Sequence, residues 1–399
     1  MIKIECNDLS SPQATTQQIL NLLRADQSPD HFLAQPQQRT LDWDDLAIRA
    51  IVFGLASQVY HRLSQWEVRL PPRALAKLAV TYQAQAKRNE AIYTQLDEAL
   101  AAFADQQIAP IALKGVHLAA HYYAEPALRP MNDIDLLFTP DELPTAESIL
   151  LSLGYGGKHK SADLGPGISK HTSTFLRQAA SAPAASTTPN PYLSANSDRM
   201  IEPHTSLEES WFGLKVDITP GIRERALSAH LGQHNCCVLS HEDLLLHICV
   251  HFCFHLIMGA PSMVQLTDLL AVTQAQPTDW PAFCQRACAH RAAPYALAAL
   301  SLAQNLLAAP VPAHVLSELG QHTPRLLRQR ISQLSLADIL QRTQQKPLTT
   351  IGQRLWRGWQ DRAETARWAA DWRGRWQVWQ TALTIAKTDT GQMLLKRKG

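Results

Sequence analysis

Arg129-Pro130-Met131-Asn132-Asp133-Ile134-Asp135-Leu136-Leu137-Phe138 places two carboxylates inside an otherwise apolar, strand-like run. Successive strand side chains point to opposite faces, so Asp133 and Asp135 share one face while Ile134, Leu136 and Phe138 share the other and can pack into a core. Two acids that close repel each other and resist joint ionisation unless a cation or hydrogen-bond donors sit between them. A hard divalent ion, Mg2+ held by one or two carboxylates plus substrate phosphates, meets that need. Taken alone, the pair reads equally well as an edge strand with two solvated aspartates.

Just upstream, Ile111-Ala112-Leu113-Lys114-Gly115-Val116-His117 reads as a strand that ends in a glycine turn and leads into a helix reaching Tyr123. Such a turn lets backbone N–H groups and a helix N-terminus approach a phosphate. Lys114-Gly115, Arg129-Pro130-Met131 and the paired aspartates together resemble the DNA polymerase beta-like nucleotidyltransferase superfamily. More narrowly, the stretch from Leu113 to Leu137 resembles an uncharacterised bacterial nucleotidyltransferase family, whose core runs L-K-G, a helix ending near a tyrosine, then R-P-M-x-D-I-D-L-L. That resemblance implies transfer of an NMP group from an NTP to an acceptor hydroxyl, with release of pyrophosphate. It implies two Mg2+ ions bridged by Asp133 and Asp135, a triphosphate held by Lys114 and the Gly115 turn, and Arg129 either neutralising phosphate charge or bracing the aspartate strand.

A second anchor is Met200-Ile201-Glu202-Pro203-His204, similar to a strand in the family that reads V-E-L-H-W. Glu202 and His204 match it, which makes Glu202 the expected third metal ligand and catalytic carboxylate and places His204 with the nucleotide-binding residues. Pro203 and Thr205 depart from it. Proline lacks a backbone donor, so the strand is expected at a sheet edge or irregular. Asp217, in Lys215-Val216-Asp217-Ile218, is the alternative third acid.

A third block, Leu245-Leu246-His247-Ile248-Cys249-Val250-His251 with His255 after it, resembles the family's L-L-H-L-C-x-H-x-x-x-H. Histidines 247, 251 and 255 fall on one helical face at a spacing that can bind zinc, but the glutamate of the metalloprotease H-E-x-x-H pattern is missing. Histidines lining the nucleotide cleft or packing on the core are therefore the preferred reading. Asp268 matches an aspartate that follows this block in the family and is expected to orient one of them.

Outward from these blocks, the 399-residue chain is 46% hydrophobic and long enough for two or three domains. Its organisation reads as α+β: an N-terminal helical region (1–107), a small mixed-sheet nucleotidyltransferase core (108–240), and a C-terminal helical domain (241–399). The N-terminal helices are expected to cover one face of the sheet. Residues 179–198, rich in Ala, Ser, Thr and Pro, read as a mobile insertion. Lys158, Lys160, Lys170 and His171 could reach phosphates, although a solvated basic loop is the simpler reading.

The net charge of +2 is too mild to bind nucleic acid by bulk electrostatics. Seven cysteines without a C-x-x-C pair fit a reducing compartment. The N-terminus lacks the basic start and apolar run of a signal peptide, so a cytoplasmic location is expected. Trp368, Trp372, Trp376 and Trp379, with arginines 362, 367, 373 and 375 around them, form a helical stripe. Internal packing is preferred there over peripheral membrane contact.

Neither G-x-x-x-x-G-K-[ST] nor G-x-G-x-x-G occurs. The rival to an enzyme is a catalytically inactive nucleotide-binding or regulatory module with the same fold. A toxin-like enzyme that nucleotidylates tRNA or protein is a third class. The family's setting among biosynthetic genes favours a small-molecule or peptide acceptor slightly over RNA.

Overall fold

The computed structural model describes residues 12–35, 41–158, 174–177, 200–343 and 351–384. The insertion at 179–198 and residues Lys160, Lys170 and His171 lie outside them, as does the side chain of Lys158.

The strands are β1 (Ile111–Ala112), β2 (Asp133–Leu137), β3 (Gly156–Lys158), β4 (Thr174–Leu176), β5 (Met200–His204), β6 (Glu208–Trp211), β7 (Leu214–Asp217), β8 (Leu227–Leu231) and β9 (His234–Val238). Among the described residues, seven of them form one mixed sheet in the order β3-β4-β5-β2-β1-β9-β8, and β6 and β7 make a separate hairpin. β2 lies in the middle, antiparallel to β1 and parallel to β5. Its alternation is realised: Ile134, Leu136 and Phe138 are buried with Ile201 and Phe175 in one core.

Pro203 sits on an interior strand, contrary to the edge position expected for it. The Phe138 N–H donates to the His204 carbonyl, so the even-numbered residues of β5 bond toward β2. The missing proline N–H therefore falls on the β4 side, where pairing covers only Met200 and Ile201. Locally the proline stands where a strand edge would be.

Among the described residues, five helices precede the sheet: α1 (Pro12–Leu23), α2 (Pro29–Ala34), α3 (Trp43–Val52), α4 (Ala56–Gln65) and α5 (Pro72–Asp105). α3 starts where the Asp42 carboxylate accepts the N–H groups of Asp44 and Asp45. α5 starts at Pro72, whose missing N–H costs nothing in a first turn. The C-terminal half of α5 places Ile92, Leu96, Leu100 and Phe103 on the sheet core. Ile19, Leu22, Leu46 and Val59 of α1, α3 and α4 join a core that the C-terminal helices share with Ile111 and Leu137 of the sheet, and the Ala25 N–H donates to the Leu307 carbonyl at 2.9 Å.

α6 (Lys114–His121), α7 (Leu143–Ser152) and the short α8 (Ile222–Arg225) lie between strands. Beyond β9 come α9 (His241–Met258), α10 (Met263–Ala275), α11 (Trp280–Ala289), α12 (Ala293–Leu307), α13 (Ala313–Gln321), α14 (Arg325–Ile331), α15 (Leu336–Thr343), α16 (Ile351–Trp368) and α17 (Trp372–Thr384). α12 is buried on nearly every side, and its alanines let α1, α9 and α10 pack closely around it, which is why the N-terminal helices come here. The tryptophan stripe is broken between α16 and α17. Trp368 is buried and stacks on Tyr295, whereas Trp372 and Trp376 are exposed. Among the described residues, no helix is long and apolar enough to cross a membrane.

Candidate active site

The parallel pairing of β2 with β5 sets the geometry. Its register places Asp135 beside Glu202 and Leu137 beside His204, so Asp133, Asp135, Glu202 and His204 project from one face. Ligand atoms of Asp135, Glu202 and His204 lie within 4.8 Å of one another, and these groups could hold a metal ion. His204 Nε2 is 2.7 Å from Asp135 Oδ1, and Lys114 Nζ is 3.2 Å from Oδ2. The Thr174 hydroxyl donates to Glu202 Oε1 at 3.3 Å.

Lys114 opens α6 with a φ of 33°, a left-handed conformation that costs a non-glycine residue of order 1 kcal/mol and tends to cluster at functional sites. Gly115, expected in a turn, lies instead in the first turn of α6. The missing Cβ eases a close approach there: a Cβ would stand 3.1 Å from Arg129 Nη1 and 3.6 Å from Met131 Cγ.

Burial, and then the charge of Asp135, push the Asp133 carboxyl up to about 7. Burial alone would lower the Lys114 ammonium, but Asp135, Asp133 and Glu202 outweigh it and raise the group. Lys114 is therefore held charged in a setting with an excess of negative groups.

Arg129 forms a buried two-pronged pair with Asp268 of α10, Nε to Oδ1 and Nη2 to Oδ2 both at 2.8 Å. Burial pulls the guanidinium down, and Asp268 more than restores it. The Tyr123 hydroxyl donates to the same carboxylate at 2.8 Å. Asp268, expected to orient a histidine, is thus engaged by Arg129 and Tyr123. Arg88 and Asn89 of α5 hold the turn before β2, through Arg88 Nε to the Met131 carbonyl at 2.8 Å and Asn89 Nδ2 to the Arg129 carbonyl at 2.8 Å. Neither residue stood out in the sequence, because polar residues inside the buried stripe of a long helix declare their partners only when those partners are in place.

Lys114, Gly115, Arg129, Asp133, Asp135 and Glu202 line one cavity of about 500 Å³, closed on the helical side by His251, His255, Gln265 and Asp268. This volume is in the range of small-molecule sites. His204 does not line it but backs Asp135. Asp217, the alternative acid, is exposed at the end of β7 and accepts the Thr219 N–H at 2.9 Å, outside the cavity.

A family model described as an uncharacterised nucleotidyltransferase matches residues 39–308. Searches of curated proteins and of solved structures found no match.

Proposed function

The chain belongs to the uncharacterised nucleotidyltransferase family, and from that premise we propose that it moves an NMP group from an NTP to an acceptor hydroxyl, releasing pyrophosphate. The observation that carries this reading is the β2–β5 register, which sets Glu202 beside Asp135 at a cavity that Asp133 and Lys114 also line. The group that could hold an ion offers two carboxylates, Asp135 and Glu202, and the His204 imidazole, with the Asp133 carboxylate on the same strand face, and the carboxylate oxygens suit Mg2+. Bound ions, two in this reading, would stabilise the attacking and leaving oxygens of an in-line displacement.

The chain's own groups divide the remaining work. Asp133, Asp135 and Glu202 would hold the metal, and Glu202 would also take the proton of the acceptor hydroxyl. Lys114 and the N-terminal N–H groups of α6 hold the triphosphate. His204 positions Asp135 from behind. Arg129, engaged by Asp268, braces Gly115 and the start of β2. The mild net charge favours a small-molecule or peptide acceptor over RNA.

One observation favours the second reading, a nucleotide-binding module without turnover: Lys114 and His204 contact both oxygens of Asp135, so a metal must compete with them. Titrating the protein calorimetrically with each of the four NTPs, with and without Mg2+, tests the main reading. Mg2+-dependent binding that Asp135→Asn abolishes is expected, and labelled NTP incubated with the protein and a cell lysate should mark an acceptor. Nucleotide binding indifferent to Mg2+, with no label transferred, would establish the inert module instead.

A further inference from the structure

Where the β6–β7 hairpin packs on α9, three metal-ligating side chains meet that nucleotidyl transfer does not use. His247 and His251 are one turn apart on α9, and Glu209 reaches them from β6. A ligand atom from each of the three lies within 4.8 Å of the other two. Glu209 Oε1 is 2.8 Å from His251 Nδ1. Glu209 and His247 are each 3% exposed, while His251 is partly open and lines the cavity.

A carboxylate buried this deeply is stabilised by hydrogen bonds such as the one it shares with His251, or by a cation bound among the same three side chains. The second imidazole points to the cation. His247, with its ring 6.0 Å from that of His251, brings another donor atom within 4.8 Å of the other two, the convergence a metal ion uses. Two imidazoles and one carboxylate suit a borderline transition ion such as Zn2+, whereas Mg2+ selects oxygen donors. Thiolates take no part: burial raises the Cys249 and Cys253 thiols, and Cys253 Sγ donates to the Tyr295 carbonyl at 3.1 Å. We propose that Glu209, His247 and His251 bind a Zn2+-class ion on the helical wall of the cavity, separate from the group around Asp135. With three protein ligands and His251 at the cavity surface, a fourth position is left for an oxygen donor from a molecule in the cavity.

Untagged full-length protein, stripped with a chelator, is reloaded with Zn2+, dialysed and assayed for metal by mass spectrometry, and in parallel titrated with Co2+ by visible absorption. About one zinc per chain is expected, with the intense d–d bands of four- or five-coordinate Co2+. Glu209→Gln and His247→Gln should lose both signals, whereas Asp135→Asn should keep them. Zinc-free protein after dialysis, the weak spectrum of octahedral Co2+, or loss of metal in Asp135→Asn but not in His247→Gln would overturn the proposal. The Co2+ spectrum is read on the unaltered chain, so the test survives a variant that does not fold. None of these signals requires turnover, so a failure of nucleotidyl transfer leaves this result standing separately.

Discussion

Replacing Asp268 by asparagine keeps the shape of the side chain but strips the charge from the partner of a buried guanidinium. Arg129 is 8% exposed and Asp268 1%, and they share two bonds of 2.8 Å. Breaking a buried ion pair from one side costs about 3–5 kcal/mol, because the remaining charge stays desolvated, and a neutral amide oxygen recovers only part of that. About 3 kcal/mol is therefore expected for Asp268→Asn, a shift of roughly 1 M in the urea midpoint for a slope of about 3 kcal/mol per molar. The double variant Arg129→Met with Asp268→Leu should be more stable than Asp268→Asn, since no charge is left buried. The assay is urea unfolding followed by tryptophan fluorescence and circular dichroism on the parent, Asp268→Asn, the two singles Arg129→Met and Asp268→Leu, and their double. A loss below about 0.5 kcal/mol in Asp268→Asn, or strictly additive effects in the cycle, would refute the reasoning.

Burial, reinforced by the nearby His121 and His241, lowers His117 from 6.5 to about 3. Above pH 6.5 both folded and unfolded chains carry it neutral; as pH falls below that value only the unfolded chain takes the proton, so stability is lost on the acid side. The parent should lose about 2 kcal/mol more than His117→Leu between about pH 7.5 and about pH 5 in urea melts, and equal losses would exclude the effect. Gly115→Leu pushes a side chain into Arg129 Nη1 and Met131, so it should cost about 1–3 kcal/mol and weaken NTP binding with it. A thermal melt and a nucleotide titration unchanged from the parent would show that the close approach is unimportant.

Much of the site was legible because its signals are local. The alternation of Asp133-Ile134-Asp135-Leu136 assigns each residue a face whatever the strand pairs with, and Ile134, Leu136 and Phe138 are buried accordingly. The long periodic run from Pro72 fixed α5. Local signals misled where one residue type serves two purposes. Gly115 suggested a turn, whereas its missing Cβ makes room for Arg129 and the positive φ belongs to Lys114. Pro203 suggested an edge, whereas a strand as short as β4 leaves it room inside the sheet.

The sequence by itself determined which side chains could carry charge to a common face and which helices could bury a stripe, since both follow from the 2.0 and 3.6 periods of the backbone. Only the tertiary structure decided which partners those side chains meet. Glu202 rather than Asp217 lies beside Asp135 because β5, not β7, pairs with β2. Asp268 turns to Arg129 across 139 residues of chain, and Glu209 reaches His251 across 42. Strand register and buried charge pairing are settled by the packing of chain-distant elements against one another, and no local period encodes that choice.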